Sequence, residues 1–300
     1  MTRLLLLIFI FSLISCGSKK VEVEQKKSMK DSSVKQTNVN PEGSALKWYD
    51  FDNENVDFVK IPDELKEISG ITFTPDDRLF AHGDEDGDIF QLNPQTAQII
   101  KRFSLGSMLV ISGDFEDIAY VNDRFFMVES NGKLYEFKEG NSGRFVNYKT
   151  YKTFLKSSND VEGLCYDSET NSLLLLCKGS PGEGFRRQKA VYSFSLSSMT
   201  LDEKPRFLID LKSIKKNTIE NEFSPSGIAK HPASGTFFLI AAVGNSIIEL
   251  NKDGEIINQK DLPEKIHKQA EGIAFMKDGT LYISNEGKDK TARLVRYNMK

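Results

Sequence analysis

Five segments of this chain share one pattern, and the distance between them limits the folds that the chain can adopt. Each has a Ser or Glu, a Gly or Asp and an aliphatic residue, then two strand-like runs around a polar turn and a third run after a polar break. The Gly or Asp positions are Gly70, Asp117, Gly163, Gly227 and Gly272, which gives spacings of 47, 46, 64 and 45 residues. Repeats of roughly 45 residues with three or four strands each are typical of the blades of a β-propeller. The sequence therefore predicts an all-β fold of this kind.

The number of repeats predicts the number of blades. Five repeats use the chain from about residue 45 onward, and the 64-residue interval holds one blade and a loop rather than two blades. Residues 45–62, ALKWYDFDNENVDFVKIP, have the strand character needed to pair with the last repeat, which would close the ring and remove exposed sheet edges. We expect a five-bladed propeller with four-stranded antiparallel blades over residues 45–300; six blades are the alternative. The best helical segment, residues 211–222, would form one short insertion.

The N-terminal segment lies outside this pattern. Arg3 precedes an apolar run at residues 4–14 that is too short to span a bilayer and has the form of a secretory signal. The string LISC at residues 13–16 resembles a bacterial lipobox, which implies a lipoprotein signal peptide over residues 1–15 and lipidation of Cys16. A plain secretory signal is the alternative. Because Gly17 rather than Asp follows the cysteine, the analogy favours a lipid-anchored position in the bacterial cell envelope, at the outer membrane.

Residues 16–44 are predicted to be a lipidated N-terminus and a disordered tether. Residues 19–44 are rich in Lys, Ser and Asn, contain no aromatic residue and show no apolar period, so they cannot bury enough surface to fold. The formal net charge of −3 shows no basic footprint for nucleic acid. A closed, tethered propeller is expected to be a monomer.

Acidic residues stand two apart where several inner strands begin. Successive strand residues alternate faces, so Asp160 and Glu162 point the same way, as do Asp114 and Glu116. Five blades would gather six carboxylates around one axis: Glu67, Asp114, Glu116, Asp160, Glu162 and Glu271. Like charges this close raise one another's pKa or need a cation, and an all-oxygen ligand set suits Ca²⁺ best and Mg²⁺ second. The alternative is that the acids bond backbone N–H groups or line a wet channel.

Four more residues are candidates for ligand binding: Asp84, Glu129, Arg186 and Glu286. Residues 83–90, GDEDGDIF, are predicted to be a hairpin turn rather than a calcium loop, since no Glu closes a twelve-residue loop. Glu129 and Glu286 end second strands. Arg186 lies in the loop at 179–189, where it is available to an anionic ligand, with a merely solvated loop as the alternative.

Cys165 and Cys177 flank the turn of one predicted hairpin out of register, because Cys165 should face Leu174. They are expected to be two buried thiols, with a disulfide as the alternative in an oxidising compartment. His82, His231 and His267 share no ligand spacing, so the sequence does not support a zinc site or a Ser-His-Asp triad.

The order of the motifs resembles that of the SdiA-regulated family of envelope β-propellers. The resemblance rests on the triplets SGI, EDI, EGL, SGI and EGI and on the stretches at residues 160–182 and 270–286, and it covers roughly residues 47–298. It implies a propeller in the envelope and leaves the biochemical role open. Where family members have a Lys-Glu pair after the second strand of the third repeat, this chain has Cys177-Lys178-Gly179, so one expected acid is missing.

Two classes of function follow. The first is a non-catalytic lipoprotein that binds a metal ion, with calcium expected, at the central channel and presents that site to a small ligand or an envelope partner. The second is a calcium-dependent propeller hydrolase of lactones, esters or phosphate esters, in which the metal polarises the reacting oxygen.

Overall fold

The structure is a computed structural model that describes residues 43–53, 56–214, 223–287 and 291–300. Within these residues, strands form five small sheets, one for each sequence repeat, and the only helices are the 3-10 turns Ala45–Trp48 and Asp63–Leu65. The prediction of an all-β, five-bladed propeller is therefore confirmed. Residues 1–42, which carry the predicted signal peptide, Cys16 and most of the tether, lie outside the described residues, as does the greater part of the predicted helix at 211–222.

The strands run from the centre of each blade outward. The chain enters with β1 (Phe58–Lys60). Blade 1 holds β2 (Ile68–Phe73), β3 (Leu79–Gly83), β4 (Asp88–Leu92) and β5 (Ile99–Leu105). Blade 2 holds β6 (Phe115–Val121), β7 (Arg124–Glu129), β8 (Leu134–Phe137) and β10 (Tyr148–Tyr151), and the intervening β9 (Phe145–Val146) pairs in parallel with β5.

The other three blades continue the same arrangement. Blade 3 holds β11 (Val161–Asp167), β12 (Ser172–Cys177), β13 (Gln188–Ser195) and β14 (Thr200–Leu201), and β15 (Phe207–Asp210) also pairs with β13. Blade 4 holds β16 (Ser224–Lys230), β17 (Phe237–Val243), β18 (Ser246–Leu250) and β19 (Ile256–Asp261). Blade 5 holds β20 (Ala270–Phe275), β21 (Leu281–Asn285) and β22 (Arg293–Tyr297).

The N-terminal strand closes the ring, as predicted. β1 pairs antiparallel with β22, with Phe58 opposite Val295, and so supplies the fourth strand of blade 5. The inner strands contact one another in the cyclic order β2, β6, β11, β16, β20 and back to β2. This closure covers the sheet edge that an open array of blades would expose.

The hydrophobic core lies between adjacent blades, in five clusters of buried side chains. The rings of Phe80 in blade 1 and Phe125 in blade 2 pack edge to face with their centroids 4.8 Å apart, a favoured geometry for aromatic pairs. The 3-10 turn at Ala45–Trp48 begins the domain, with Leu46 fully buried against blades 4 and 5. Ser44 is also buried, and its Oγ donates to Oε2 of Glu249 at 2.5 Å.

The aligned glycines mark the places where neighbouring inner strands approach most closely. A Cβ on Gly70 would lie 2.7 Å from the Cα of Asp117 in blade 2, and a Cβ on Gly272 would lie 2.8 Å from the carbonyl oxygen of Ser69 in blade 1. Real Cβ atoms do not come so close to backbone atoms. Because glycine has a hydrogen atom in place of a Cβ, the inner strands can pack into a tight ring at these positions.

The hairpin predictions are also confirmed. Cys165 lies opposite Leu174, and both Cys165 and Cys177 are buried free thiols. Residues 84–87 connect the antiparallel strands β3 and β4 of one hairpin, and Asp86 forms an isolated bridge with Ser112. Across the described residues, no helix is long and apolar enough to cross a membrane.

Candidate functional site

The candidate site lies at the mouth of the ring, which is the end at which the five inner strands begin. At the start of each inner strand, two sequence positions separated by one residue lie at this mouth. We call the first of them the outer slot and the second the inner slot. The outer slots are Glu67, Asp114, Asp160, Ser224 and Gln269. The inner slots are Ser69, Glu116, Glu162, Ser226 and Glu271.

Every inner strand has a β-bulge at its inner slot. In β11 the pairing with β12 shifts between Val161 and Gly163, which leaves Glu162 without a partner in the ladder. The same shift surrounds the inner slots of β2, β6, β16 and β20. Because a bulge bends its strand and redirects a side chain, the repeated bulge explains how these side chains leave the regular alternation of the sheet.

Two inner slots tie neighbouring blades together. The Oγ of Ser69 donates to the carbonyl oxygen of Glu116 at 2.7 Å, and the Oγ of Ser226 donates to the carbonyl oxygen of Ala270 at 2.6 Å. These serines are buried and satisfied by the next blade. The remaining three inner slots hold glutamates.

The three inner-slot glutamates lie close enough to affect one another's ionisation. Burial raises the pKa of Glu116 from 4.5 to about 9, and the charges of Glu162 and Asp114 add to this shift. Burial raises the pKa of Glu271 to about 7, and the charge of Glu162 adds to it. Burial also raises the pKa of Glu162 itself. The charges of Asp114, Asp160 and Glu162 thus reach Glu116, and that of Glu162 reaches Glu271; we call Asp114, Glu116, Asp160, Glu162 and Glu271 the carboxylate cluster.

A lysine lies within this cluster. Lys178 directly follows β12, and its Nζ forms an ion pair with Glu162 and lies 3.2 Å from Oδ2 of Asp160. Its positive charge also opposes the raised pKa values of Glu116 and Glu271. Asp160 has a left-handed backbone (φ 52°), and its carbonyl oxygen accepts the backbone N–H of Lys178 at 2.7 Å. The turn at Asp160 therefore places the lysine beside the acids.

The described side chains do not form a ready calcium site. Across the described residues, no group of three or more Asp, Glu, His or Cys side chains is placed to hold a metal ion. An ammonium group lies instead among the oxygen atoms that calcium would need. The calcium assignment stays a prediction, and it requires that these side chains rearrange.

Glu67 lies apart from the cluster, beside Asp84. Both line a cavity of about 360 Å³ next to blade 1, together with Glu64, Glu85 and Asp86. Burial raises the pKa of Asp84 to about 6, and the charges of Glu67, Glu85 and Glu286 contribute to the shift. This acidic cavity extends the negative charge of the mouth outward.

The other three candidate residues have different surroundings. Glu129 is buried in a local network, where it accepts hydrogen bonds from the hydroxyl of Tyr135 at 2.5 Å and from Nδ2 of Asn131 at 2.8 Å. Glu286 accepts a hydrogen bond from Gln269 at the mouth. Arg186 is exposed in the loop between β12 and β13.

Lys178 and the bulges are the features that sequence reasoning missed. The sequence shows Lys178 only as the lysine that remains of the family's Lys-Glu pair, although its position directly after the second strand puts it at the mouth. The ion-pair partners of Lys178 depend on the turn at Asp160, and the shared repeat pattern in the sequence does not reveal this turn. A bulge leaves no mark in the alternation of a strand this short.

Comparison with known proteins agrees with the architecture. The sequence profile of the family described as SdiA-regulated matches residues 48–287, which is most of the chain. The chain belongs to the SdiA-regulated family. No curated protein sequence matches this SdiA-regulated protein significantly.

Solved structures resemble this SdiA-regulated protein in fold alone, because their sequence identities are low. A luciferin-regenerating enzyme superposes with a TM-score of 0.53 at 10% identity, covering 81% of this chain and 95% of that one. A PQQ-bound aldose sugar dehydrogenase from Streptomyces coelicolor gives 0.51 at 12% identity, covering 80% and 96%. A glutaminyl cyclase from Myxococcus xanthus gives 0.50 at 13% identity, covering 82% and 95%.

Proposed function

We propose that this SdiA-regulated protein is a non-catalytic, lipid-anchored binding protein of the bacterial envelope, and that its carboxylate cluster binds a cation. The cation would be calcium or the positively charged group of a small ligand or envelope partner. The observation that carries the proposal is the position of the buried Glu162 at the mouth, where it contacts Lys178 and its charge acts on Glu116 and Glu271 from two other blades.

The electrostatics support a cationic ligand. The cluster has five carboxylates and one ammonium group, which contacts Glu162 and Asp160, and Glu116 and Glu271 have raised pKa values although Lys178 is present. A carboxylate with a raised pKa is one whose charged form lacks compensation. An added positive charge would supply that compensation, so binding should draw protons off the cluster.

The anchoring half of the proposal rests on the lipobox-like string that ends at Cys16. Several acyl chains hold a protein on a membrane far more firmly than one. Mass spectrometry of the protein purified from bacterial membranes tests this half. A diacyl- or triacylglyceryl-modified Cys16 at the N-terminus would support it, and an unmodified or uncleaved N-terminus would contradict it.

A calcium-dependent hydrolase is the second candidate, and the pKa of Glu271 favours it. A carboxyl group with a pKa raised to about 7 can exchange a proton at neutral pH, as a general acid or base must. A colorimetric screen with lactones, esters and phosphate esters, with and without calcium, distinguishes the two functions. Turnover that requires both calcium and Glu271 would replace the binding function with the hydrolase.

Thermal melting tests the binding function. A cation that binds the cluster should raise the melting temperature in proportion to the logarithm of its concentration once the site is saturated. Glu162→Gln should remove most of that increase, because it removes one carboxylate of the cluster, and without added cation it should lower the melting temperature, because Lys178 loses its buried ion-pair partner. Glu255→Gln is the matched control, since Glu255 is exposed and pairs only locally with Asn251. Melting that is independent of calcium and of amines would refute the binding function.

A further inference from the structure

Two loops on the mouth side of the ring carry exposed apolar side chains. Each loop joins one blade to the inner strand of the next: residues 106–114 lead into β6, and residues 152–160 lead into β11. Met108 and Leu109 in the first loop are 84% and 82% exposed, more than any other large apolar side chain in the described part of the chain. Phe154 in the second loop is 48% exposed. We call Met108, Leu109 and Phe154 the apolar rim.

The backbone holds Met108 and Leu109 at the tip of a tight turn. Gly106 and Val110 form an isolated antiparallel bridge across this turn. Gly106 has a φ of 143°, and a Cβ at this position would clash with the carbonyl oxygen of Leu109, so the turn requires glycine. The turn therefore holds the two apolar side chains in a protrusion rather than against the blade.

The second loop packs against the loop between β12 and β13. The rings of Phe154 and Tyr192 lie edge to face with their centroids 5.5 Å apart. The hydroxyl of Tyr192 donates to the carbonyl oxygen of Pro181 at 3.0 Å, and Nδ2 of Asn159 donates to the carbonyl oxygen of Ser180 at 2.9 Å. These contacts place the exposed ring of Phe154 next to the loop at 179–188.

These two loops are basic. Four of their residues are exposed Lys or Arg: Lys152, Lys156, Arg186 and Arg187. Residues 152–156 and 179–188 contain a single acid, Glu183. The surface beside Phe154 therefore combines an exposed aromatic ring with an excess of positive charge.

A bilayer surface with anionic headgroups fits this combination. Exposed apolar patches mark sites that contact proteins or membranes, and Lys and Arg side chains beside apolar ones are attracted to anionic lipids. The first loop adds apolar side chains alone, because its neighbours Glu85 and Asp86 are acidic. The attraction to anionic lipids therefore comes from the basic residues beside Phe154.

The length of chain before the described residues allows the rim to meet such a surface. The described chain starts at Gly43, and Ser44 bonds Glu249 near the end of β18 that lies away from the mouth. Residues 17–42 separate this point from Cys16, the predicted lipidation site, and a chain of that length spans at most roughly 90 Å. A domain of this size has a radius of gyration on the order of 18 Å. A lipid on Cys16 would therefore keep a bilayer within reach of the rim at a high local concentration.

We propose that the apolar rim and the four basic residues beside Phe154 form a membrane-contact surface that turns the mouth of the propeller toward an anionic bilayer. The side chains of the rim enter the headgroup region, and the lysines and arginines contact lipid phosphates. This inference goes beyond the proposed function. It requires neither a cation at the carboxylate cluster nor a lipid on Cys16 for the contact itself.

Cosedimentation with lipid vesicles tests the membrane-contact surface. The protein is residues 16–300 made without the signal peptide, so that Cys16 carries no lipid, and the vesicles contain phosphatidylethanolamine and phosphatidylglycerol. Met108→Ser combined with Leu109→Ser should weaken binding at least about tenfold, because burial of one side chain of this size contributes roughly a factor of ten. Ile100→Ser is the matched control. Ile100 is 57% exposed near the end of β5 away from the mouth, so its variant should bind as the wild type does.

A second double variant tests the basic residues. Lys156→Gln combined with Arg186→Gln should weaken binding to the phosphatidylglycerol vesicles roughly tenfold, because two charges near the anionic surface are lost. Its binding to vesicles of phosphatidylcholine alone should equal that of the wild type. Cooperative melting at the wild-type temperature shows that each variant is folded.

The outcomes are distinct from those for the cation site. Weaker binding by both double variants, with Ile100→Ser unchanged, is the expected result. Equal binding by the wild type and both double variants would show that another part of the chain meets the lipid, and would overturn the proposal. Absence of vesicle binding by the wild type would also overturn it, and would leave the rim to a protein partner.

Discussion

The carboxylate of Asp117 in blade 2 accepts a hydrogen bond from the backbone N–H of Leu164 in blade 3, at 2.6 Å. It also accepts the N–H of Ile118 at 2.8 Å. Asp117 occupies the position at which the other four repeats have glycine, and it is buried. Between blades 2 and 3, a side-chain hydrogen bond therefore joins two inner strands.

Replacement of Asp117 by alanine should leave two buried N–H groups without an acceptor. Each orphaned donor costs about 1–3 kcal/mol, so the loss of both should lower the free energy of unfolding by roughly 2–6 kcal/mol. Urea denaturation of residues 43–300 measures the change. A loss below about 0.5 kcal/mol, the usual effect of a surface substitution, would show that the bridge is not structural.

Gly70→Ala should destabilise the ring at the contact between blades 1 and 2. The new Cβ would meet Nε2 of His82 at 2.5 Å and the Cα of Asp117 at 2.7 Å, and a backbone atom cannot rotate away. We expect a loss of about 1–3 kcal/mol in the same denaturation experiment, typical of overpacking. Gly43→Ala is the control with no heavy atom within 4 Å, and a similar loss in both variants would rule out the close approach as the cause.

The repeats explain why so much of the fold could be predicted. Four of the five repeats have glycine, such as Gly70 and Gly272, where an inner strand closely approaches the next blade, so these contacts leave a periodic mark in the sequence. The pairing of β1, which includes Phe58, with the last blade could be predicted because blade 5 otherwise lacks an outer strand and a closed propeller leaves no such edge open. The positions of the acids at the mouth followed from the same alignment, and the charge of Glu162 acts on both Glu116 and Glu271 there.

The rest depends on contacts that do not repeat. Lys178 reaches the cluster through the turn at Asp160, whose backbone is left-handed. Ser69 and Ser226 use their slots to bond the next blade. Glu67 turns toward Asp84 and a separate cavity. The contacts that each of these side chains makes depend on the local backbone geometry. The residue type at a given slot does not determine that geometry.

The stability of the domain should fall as pH rises, because of Glu116. Its pKa is about 9 in the folded protein and near 4.5 when exposed, so the folded state holds the proton over this range while the unfolded state has lost it. This contribution to stability is complete below about pH 4.5 and is lost as pH rises toward 9. Glu116→Gln should flatten the decline of the free energy of unfolding between pH 6 and 9, as followed by urea denaturation. Parallel curves for the variant and the wild type would be inconsistent with a protonated Glu116.

The boundary of the folded domain should lie just before Ser44. Its Oγ donates to Glu249 and accepts from Nδ2 of Asn258 at 2.7 Å, while the N–H of Leu46 also donates to Glu249 at 3.1 Å. Removal of residues 1–42 should leave cooperative melting intact. Removal of residues 1–47 should lower the melting temperature, because the fully buried Glu249 would lose the donors at residues 44–46 and keep the hydroxyl of Thr236. Differential scanning calorimetry of both truncations checks this. Equal melting temperatures would contradict the role of Ser44 and Leu46.

Binding of a cation by the carboxylate cluster is the central claim, and isothermal titration calorimetry of residues 43–300 tests it most directly. The protein is titrated with 1,4-diaminobutane and with calcium chloride, next to the triple variant Glu116→Gln, Glu162→Gln and Glu271→Gln. We predict that the wild type binds at least one of these cations at a single site, that its affinity increases with pH as the cluster ionises, and that the triple variant does not bind. If neither cation binds the wild type, or if the triple variant binds as tightly, the cluster is not the site.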